Sequence, residues 1–204
     1  YARGEADVLL GTQMIAKGLD FPRVTLVGVL DADVALHLPD FRAAERTFQL
    51  LVQVAGRAGR GRVAGEVFVQ TCTPEHPAVA AAALHDEKLF LDHELRQRRE
   101  AGYPPFTRLA TVLFSGADEG AVEAAAGRLR EALEAPAAAG GVELLGPAPQ
   151  ALARLRGRHR WHLLLKAKDA ARLHAVVRSA LEWAEADRPK GVTVMADVDP
   201  VEVL

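Results

Sequence analysis

Apolar residues recur along the chain with two periods, and the switches between them mark out the elements. Val8, Leu9 and Leu10 form a short continuous apolar run ending at Gly11 and Thr12. It predicts a buried strand, because a parallel strand is covered on both faces and reads apolar throughout. From Phe41 to Val54, FRAAERTFQLLVQV spaces its apolar residues three and four apart and predicts an amphipathic helix. GEVFVQT then alternates as a strand does, PEHP turns the chain, and a helix is predicted from about Ala78 to Glu100. Asp86 and Glu87 fall inside ALHDEKLFLDHELRQRRE, whose charge mix describes a helix with a solvated face. AGYPPF is a stiff break that no helix crosses, and it places a domain boundary near Gly102, giving domains 1–101 and 102–204.

Beyond that break the pattern is strand TRLATVLFS, helix from Ala117 to Glu134, a flexible APAAAGG, strand VELLG and a proline-spaced loop. Strand RWHLLLKA, a helix from Asp169 to Ala186 and strand VTVMADV complete it. The order β-α-β-β-α-β predicts an α+β ferredoxin-like domain, a split βαβ with an antiparallel sheet and both helices on one face.

Composition narrows the class. With 204 residues, 50% hydrophobic and 25% charged, the chain can bury two modest cores. Its net charge of -2 does not mark it as nucleic-acid binding as a whole. No apolar run approaches the roughly 20 residues that span a bilayer, so no membrane role is expected and the cytoplasm is the default setting. Cys72 is the single cysteine, which excludes an internal disulfide and a zinc site built from several thiolates of this chain. The chain starts at Tyr1, without methionine and a few residues before a predicted core strand, and reads as the C-terminal fragment of a longer protein.

Two stretches carry candidate chemistry. In QVAGRAGR, from Gln53 to Arg60, Arg57 and Arg60 stand three apart on one helical face, where they can present two guanidinium forks to a polyphosphate, and Gly56 and Gly59 keep that face open. The motif closes the amphipathic run and so reads as ordered helix rather than as a basic tail. Forty residues earlier, GTQMIAKGLDF sets Thr12 and Gln13 at the end of a predicted strand, the functional edge of an α/β sheet, and Lys17 adds a mobile positive charge. No G-x-x-x-x-G-K-[ST] loop and no strand ending in a DExx pair occurs, so half of an ATP site is missing. Nucleotide affinity and ATP turnover of this chain alone are expected to be weak or nil.

The second stretch is RLRGRHRW, in which Arg154, Arg156, Arg158 and Arg160 alternate. If it is extended, period two puts all four on one side, an electropositive strip with Trp161 beside it for stacking on an unpaired base. A solvated loop and a core tryptophan are the bland alternatives. His159 and His162 have no third ligand near in sequence, so metal is not expected.

The pair GTQMIAKGLDF and QVAGRAGR resembles the last two motifs of a superfamily 2 helicase. More narrowly, GTQMIAKGLDFP, LDADVALHLPDFRAAERTFQLLVQVAGRAGR, GEVFVQT, PEHPAV, GYPPFTRLA, LGPAPQALARLRGRHRW and DVDPVE stand in the order and spacing of the primosomal replication restart helicase family, PriA. Leu19 departs from it, since the family often has histidine there, while Lys17, Gly18, Asp20 and Phe21 remain. The resemblance implies that the first part is the second half of a RecA-like helicase lobe. It implies that Thr12 meets a nucleic-acid phosphate, that Gly18 and Asp20 approach the phosphate and ribose of ATP, and that Gln53, Arg57 and Arg60 complete the nucleotide site. ATP and Mg²⁺ would then be bound mainly through an upstream lobe, and the family's cysteine-rich zinc insert would lie before these motifs. Implied partners are branched and single-stranded DNA, the acidic tail of single-strand DNA-binding protein and other primosome proteins. Two readings follow: an ATP-driven 3′ to 5′ DNA helicase that acts at stalled forks, or a fork-binding primosome loader whose ATPase site has degraded upstream.

Overall fold

The computed structural model describes residues 3, 5–12, 24–56, 58 and 64–203. Contacts divide the chain into two units, Tyr1–Arg96 and Gln97–Leu204.

In the first unit, β1 (Leu26–Val29) and β2 (Glu66–Val69) pair in parallel, Leu26 opposite Glu66 and Val29 opposite Val69. Helices α1 (Asp33–Leu36), α2 (Ala43–Ala55) and α3 (Pro77–Leu84) follow the strands, and α4 (Glu87–Ala101) spans the division between the units. The core is small: Phe48 and Leu51 of α2 meet Ala78, Ala81 and Ala82 of α3 and Phe90 of α4. The rings of Phe48 and Phe90 stack at 4.3 Å. Val8, Leu9 and Leu10 form no strand and are exposed, against the expectation of a buried one. A parallel strand draws its hydrogen bonds entirely from neighbours, and β1 and β2 pair only with each other among the described residues.

The single helix expected from Ala78 to Glu100 is two. α3 begins with Pro77 in its first turn, where the missing N–H costs nothing, and the His76 ring accepts from the Ala78 amide at 3.2 Å. It ends at His85, whose φ of 51° is left-handed. Asp86 Oδ1 then accepts from Leu89 N at 2.9 Å, so this carboxylate starts α4 instead of decorating a continuous helix.

The second unit is β3 (Arg108–Gly116), α5 (Glu119–Gly140), β4 (Glu143–Leu155), β5 (Arg158–Ala167), α6 (Ala170–Ala186) and β6 (Thr193–Val198), a β-α-β-β-α-β order. Its sheet runs β4-β5-β3-β6 and is antiparallel throughout. Alternation puts Ala110, Val112, Phe114, Leu163 and Leu165 on the face that buries against Val122, Leu129 and Leu133 of α5 and Leu173 and Val176 of α6. Asp118 and Asp169 cap the helices by accepting from Ala121 N at 2.8 Å and Arg172 N at 2.9 Å.

Two departures from expectation concern proline. The segment APAAAGG is helical as far as Gly140, with Pro136 inside α5, because Leu133 before it and Ala137 after it are both buried in the core and hold the turn in register. The helix stops at Gly141, whose φ is 63°. The proline-spaced loop after Gly146 is part of β4, which keeps pairing with β5 through register shifts between Leu145 and Ala148 and between Pro149 and Arg154. An edge strand tolerates prolines because half its N–H groups have no ladder partner, and β4 is an edge. Among the described residues no helix is long and apolar enough to cross a membrane.

Candidate nucleotide and nucleic-acid interface

The helix that leads into QVAGRAGR is fixed at its start. Buried Asp40 accepts from Arg42 N at 2.9 Å through Oδ1, and its Oδ2 pairs with Arg46 at 3.1 Å. Phe48 and Leu51 then anchor the middle of α2 in the core. The helix ends at Ala55 with Gly56 as cap, and a turn bond from Ala58 N to Ala55 O of 3.3 Å follows. Regular helix thus stops two residues before Arg57, because glycine is a poor helix former. Gln53 lies half-buried in the last turn. Arg57 and Arg60 lie outside the described residues, as do Gln13, Lys17, Gly18 and Asp20; Thr12 is exposed and belongs to no helix or strand. The motif's donor set, one amide and two guanidinium groups, suits phosphate oxygens and offers no carboxylate to Mg²⁺.

A carboxylate that sequence reading passed over braces this unit. Asp33 accepts from Thr73 Oγ1 and Thr71 Oγ1 through one oxygen and from Cys72 N at 2.7 Å through the other. The hydrogen bond from Thr73 and then that from Cys72 hold its carboxyl down to about 2. This ties the start of α1 to the segment after β2. The Thr-Cys-Thr string has no signature for it, since the acceptor lies about forty residues away in sequence.

In the second unit RLRGRHRW is a hairpin end. Arg156 and Gly157 both have positive φ, 50° and 78°, and form a two-residue turn of the kind that matches strand twist. The turn folds the run back on itself, so the four arginines do not share one side. Arg154 stands opposite His159 on the face that the helices cover, whereas Leu155 stands opposite Arg158, which shares the other face with Arg160. Arg158 is spent on the protein: its guanidinium donates to Ser115 O at 2.8 Å and to Thr193 Oγ1 at 3.1 Å. Among the described residues no side chain pairs with Arg154, Arg156 or Arg160, and residues 144–168 contain no Asp or Glu. Trp161 is half-buried against the core. His159 faces Glu119 at 3.4 Å, and His162, on the opposite face, is pushed below its ordinary range by burial. Elsewhere in this unit a cleft of about 410 Å³ is lined by Arg99, Lys168 and Arg172 but also by Glu100 and Asp169, and its Lys166 is paired with Glu143 at 2.9 Å. At the hairpin end, then, Arg154, Arg156 and Arg160 stand without an ion-pair partner among the described residues.

Comparison with known proteins agrees with this division. The helicase conserved C-terminal domain matches residues 1–62, and the primosomal protein N C-terminal domain matches residues 99–201, just over half of the chain. The class is thus a helicase C-terminal domain followed by the C-terminal domain of a primosomal protein. Replication restart protein PriA of Bacillus subtilis (strain 168) is 44% identical over 98% of this chain and 25% of its own length. The PriA proteins of Treponema pallidum (strain Nichols) and a Synechocystis strain are 46% and 42% identical over 100% of this chain and 31% and 24% of theirs. The chain belongs to the family of replication restart proteins PriA, and it spans about a quarter to a third of the length of these relatives. Among solved structures, a de novo designed protein, Foldit4, aligns at 16% identity and a TM-score of 0.34 over 45% of this chain and 96% of that one.

Proposed function

We propose that this chain is the part of an ATP-driven 3′ to 5′ DNA helicase of replication restart that supplies the arginine side of the nucleotide cleft and a DNA-contacting domain. The observation that carries the reading is the likeness to PriA proteins across both units, with QVAGRAGR unbroken behind a helix anchored in the core. Arg57 and Arg60 act on the γ-phosphate of Mg²⁺-ATP, where they stabilise charge that develops as the phosphoryl group departs. Gln53, Gly18 and Asp20 complete that side, while Thr12, Gln13 and Lys17 meet the translocating strand. The second unit is a ferredoxin-like split βαβ, a reading supported by its strand order. Through Arg154, Arg156 and Arg160 of RLRGRHRW it contacts branched and single-stranded DNA at stalled forks, while Arg158 braces the hairpin, and the same unit receives the acidic tail of single-strand DNA-binding protein during primosome assembly in the cytoplasm.

The test is substitution of Arg57 or Arg60 by alanine in a full-length protein carrying this chain. DNA-stimulated ATP hydrolysis should collapse by orders of magnitude while fork binding is nearly unchanged, and Arg57→Lys should rescue little, since an ammonium cannot reproduce the bidentate fork. Hydrolysis that survives both substitutions refutes the arginine assignment. A wild-type protein that binds forks but hydrolyses nothing would be a loader without a motor.

A further inference from the structure

Charge and exposed apolar surface coincide at the end of the β4–β5 hairpin. Residues 151–158 are all exposed, and Leu152 and Leu155 stand out at 52% and 43% exposure beside Arg154 and Arg156. The ribbon is held where it leaves the sheet: Arg158 ties it to Ser115 on β3 and Thr193 on β6. On the β4 side, Gln150 to Ala153 stand opposite Arg160 alone. An insertion of this kind bends a ribbon and re-aims its side chains, and here Gln150 turns inward at 3% exposure while Leu152 stays outside.

The split of the arginines between two faces, which breaks up a single strip, suits a different contact. Arg154 leaves one face of the ribbon, Arg160 leaves the other, and Arg156 sits at the turn between them. Two phosphate backbones that diverge around the tip would each meet a cation. The leucines gain nothing from phosphate, but an apolar side chain can enter a base step whose stacking is already interrupted. Phe114 and Trp161 lie on the helix-covered face of the sheet, so neither ring is presented for stacking on the opposite one.

We propose that this hairpin end is a wedge for branched DNA, in which Arg154, Arg156 and Arg160 hold the two diverging backbones and Leu152 and Leu155 occupy the branch point. The proposal deepens, and rests on, the DNA-contacting role of the same segment given above. The chain of 204 residues is titrated at several salt concentrations with a forked DNA and with a plain duplex, each carrying a fluorescent adenine analogue, at the branch of the fork and mid-way along the duplex. Wild type should brighten the branch analogue, leave the duplex analogue unchanged and prefer the fork. Leu152→Ser with Leu155→Ser should keep duplex affinity and salt slope, lose the brightening and lose about tenfold in fork affinity. Arg154→Gln, Arg156→Gln and Arg160→Gln together should weaken both DNAs and flatten the salt slope by about one for each phosphate no longer neutralised.

A wild type that leaves the branch analogue dark, or a leucine variant that still brightens it, overturns the wedge and leaves DNA contact standing. Equal salt slopes for wild type and the arginine variant overturn DNA contact itself. If the arginine variant instead loses only binding to a polyglutamate peptide, the tip docks protein and the wedge is likewise wrong. Matching far-ultraviolet circular dichroism confirms that each variant is folded, and Leu152→Ala with Leu155→Ala replaces the serine pair should that variant not fold.

Discussion

Arg158→Ala separates a brace from a DNA contact. The guanidinium makes two good hydrogen bonds, 2.8 Å to Ser115 O and 3.1 Å to Thr193 Oγ1, and longer ones of 3.3 and 3.4 Å to Ser115 Oγ. Each good bond contributes about 0.5–1.5 kcal/mol net, charge on the donor raises this, and solvent exposure with the entropy of fixing a long side chain lowers it. The sum is about 1 kcal/mol, and because it joins β5 to the ends of β3 and β6 it acts on the second unit as a whole. In a unit of roughly 100 residues this corresponds to a fall of about 5 °C in Tm. Both tryptophans, Trp161 and Trp183, lie in this unit, so a thermal melt followed by tryptophan emission reads it directly. Arg156→Ala, at the turn and without a partner, should change stability by less than about 0.5 kcal/mol while flattening the salt dependence of DNA binding. If Arg158→Ala melted with wild type and flattened the salt slope as much as Arg156→Ala, the assignment of Arg158 to bracing would be refuted.

Asp33 makes the first unit acid-sensitive in a defined window. Its folded value of about 2 lies below the ordinary 3.8, so its contribution is complete above about pH 4 and lost as pH falls toward 2; chemical denaturation of wild type and Asp33→Asn at several pH values should show curves that converge at the acid end. Trp161→Ala should lower stability by about 2 kcal/mol, a fall of roughly 10 °C in Tm, because the ring packs on the core. A loss of DNA affinity with no change in melting would reverse that assignment. The chain by itself should turn over no ATP above background in a phosphate-release assay, since it has no phosphate loop; turnover from clean protein would mean that a phosphate cradle lies among these residues.

Local signals determined much of this protein in advance. The alternation in TRLATVLFS and the three-and-four spacing behind QVAGRAGR each concern neighbours within a turn or a strand, and each is realised where the pattern put it. Tertiary structure decided the rest, wherever a distant partner outweighed a local preference. Pro136 stays helical because Leu133 and Ala137 on either side are buried under the sheet. Val8 to Leu10 form no strand because an apolar run cannot supply its own hydrogen-bond partners. Four arginines alternate in the sequence, yet a two-residue turn sends Arg154 to one face and Arg158 and Arg160 to the other, and Ser115 and Thr193 then claim one of them. The pattern shows which residues carry charge; the fold decides which of those charges remain available to a ligand.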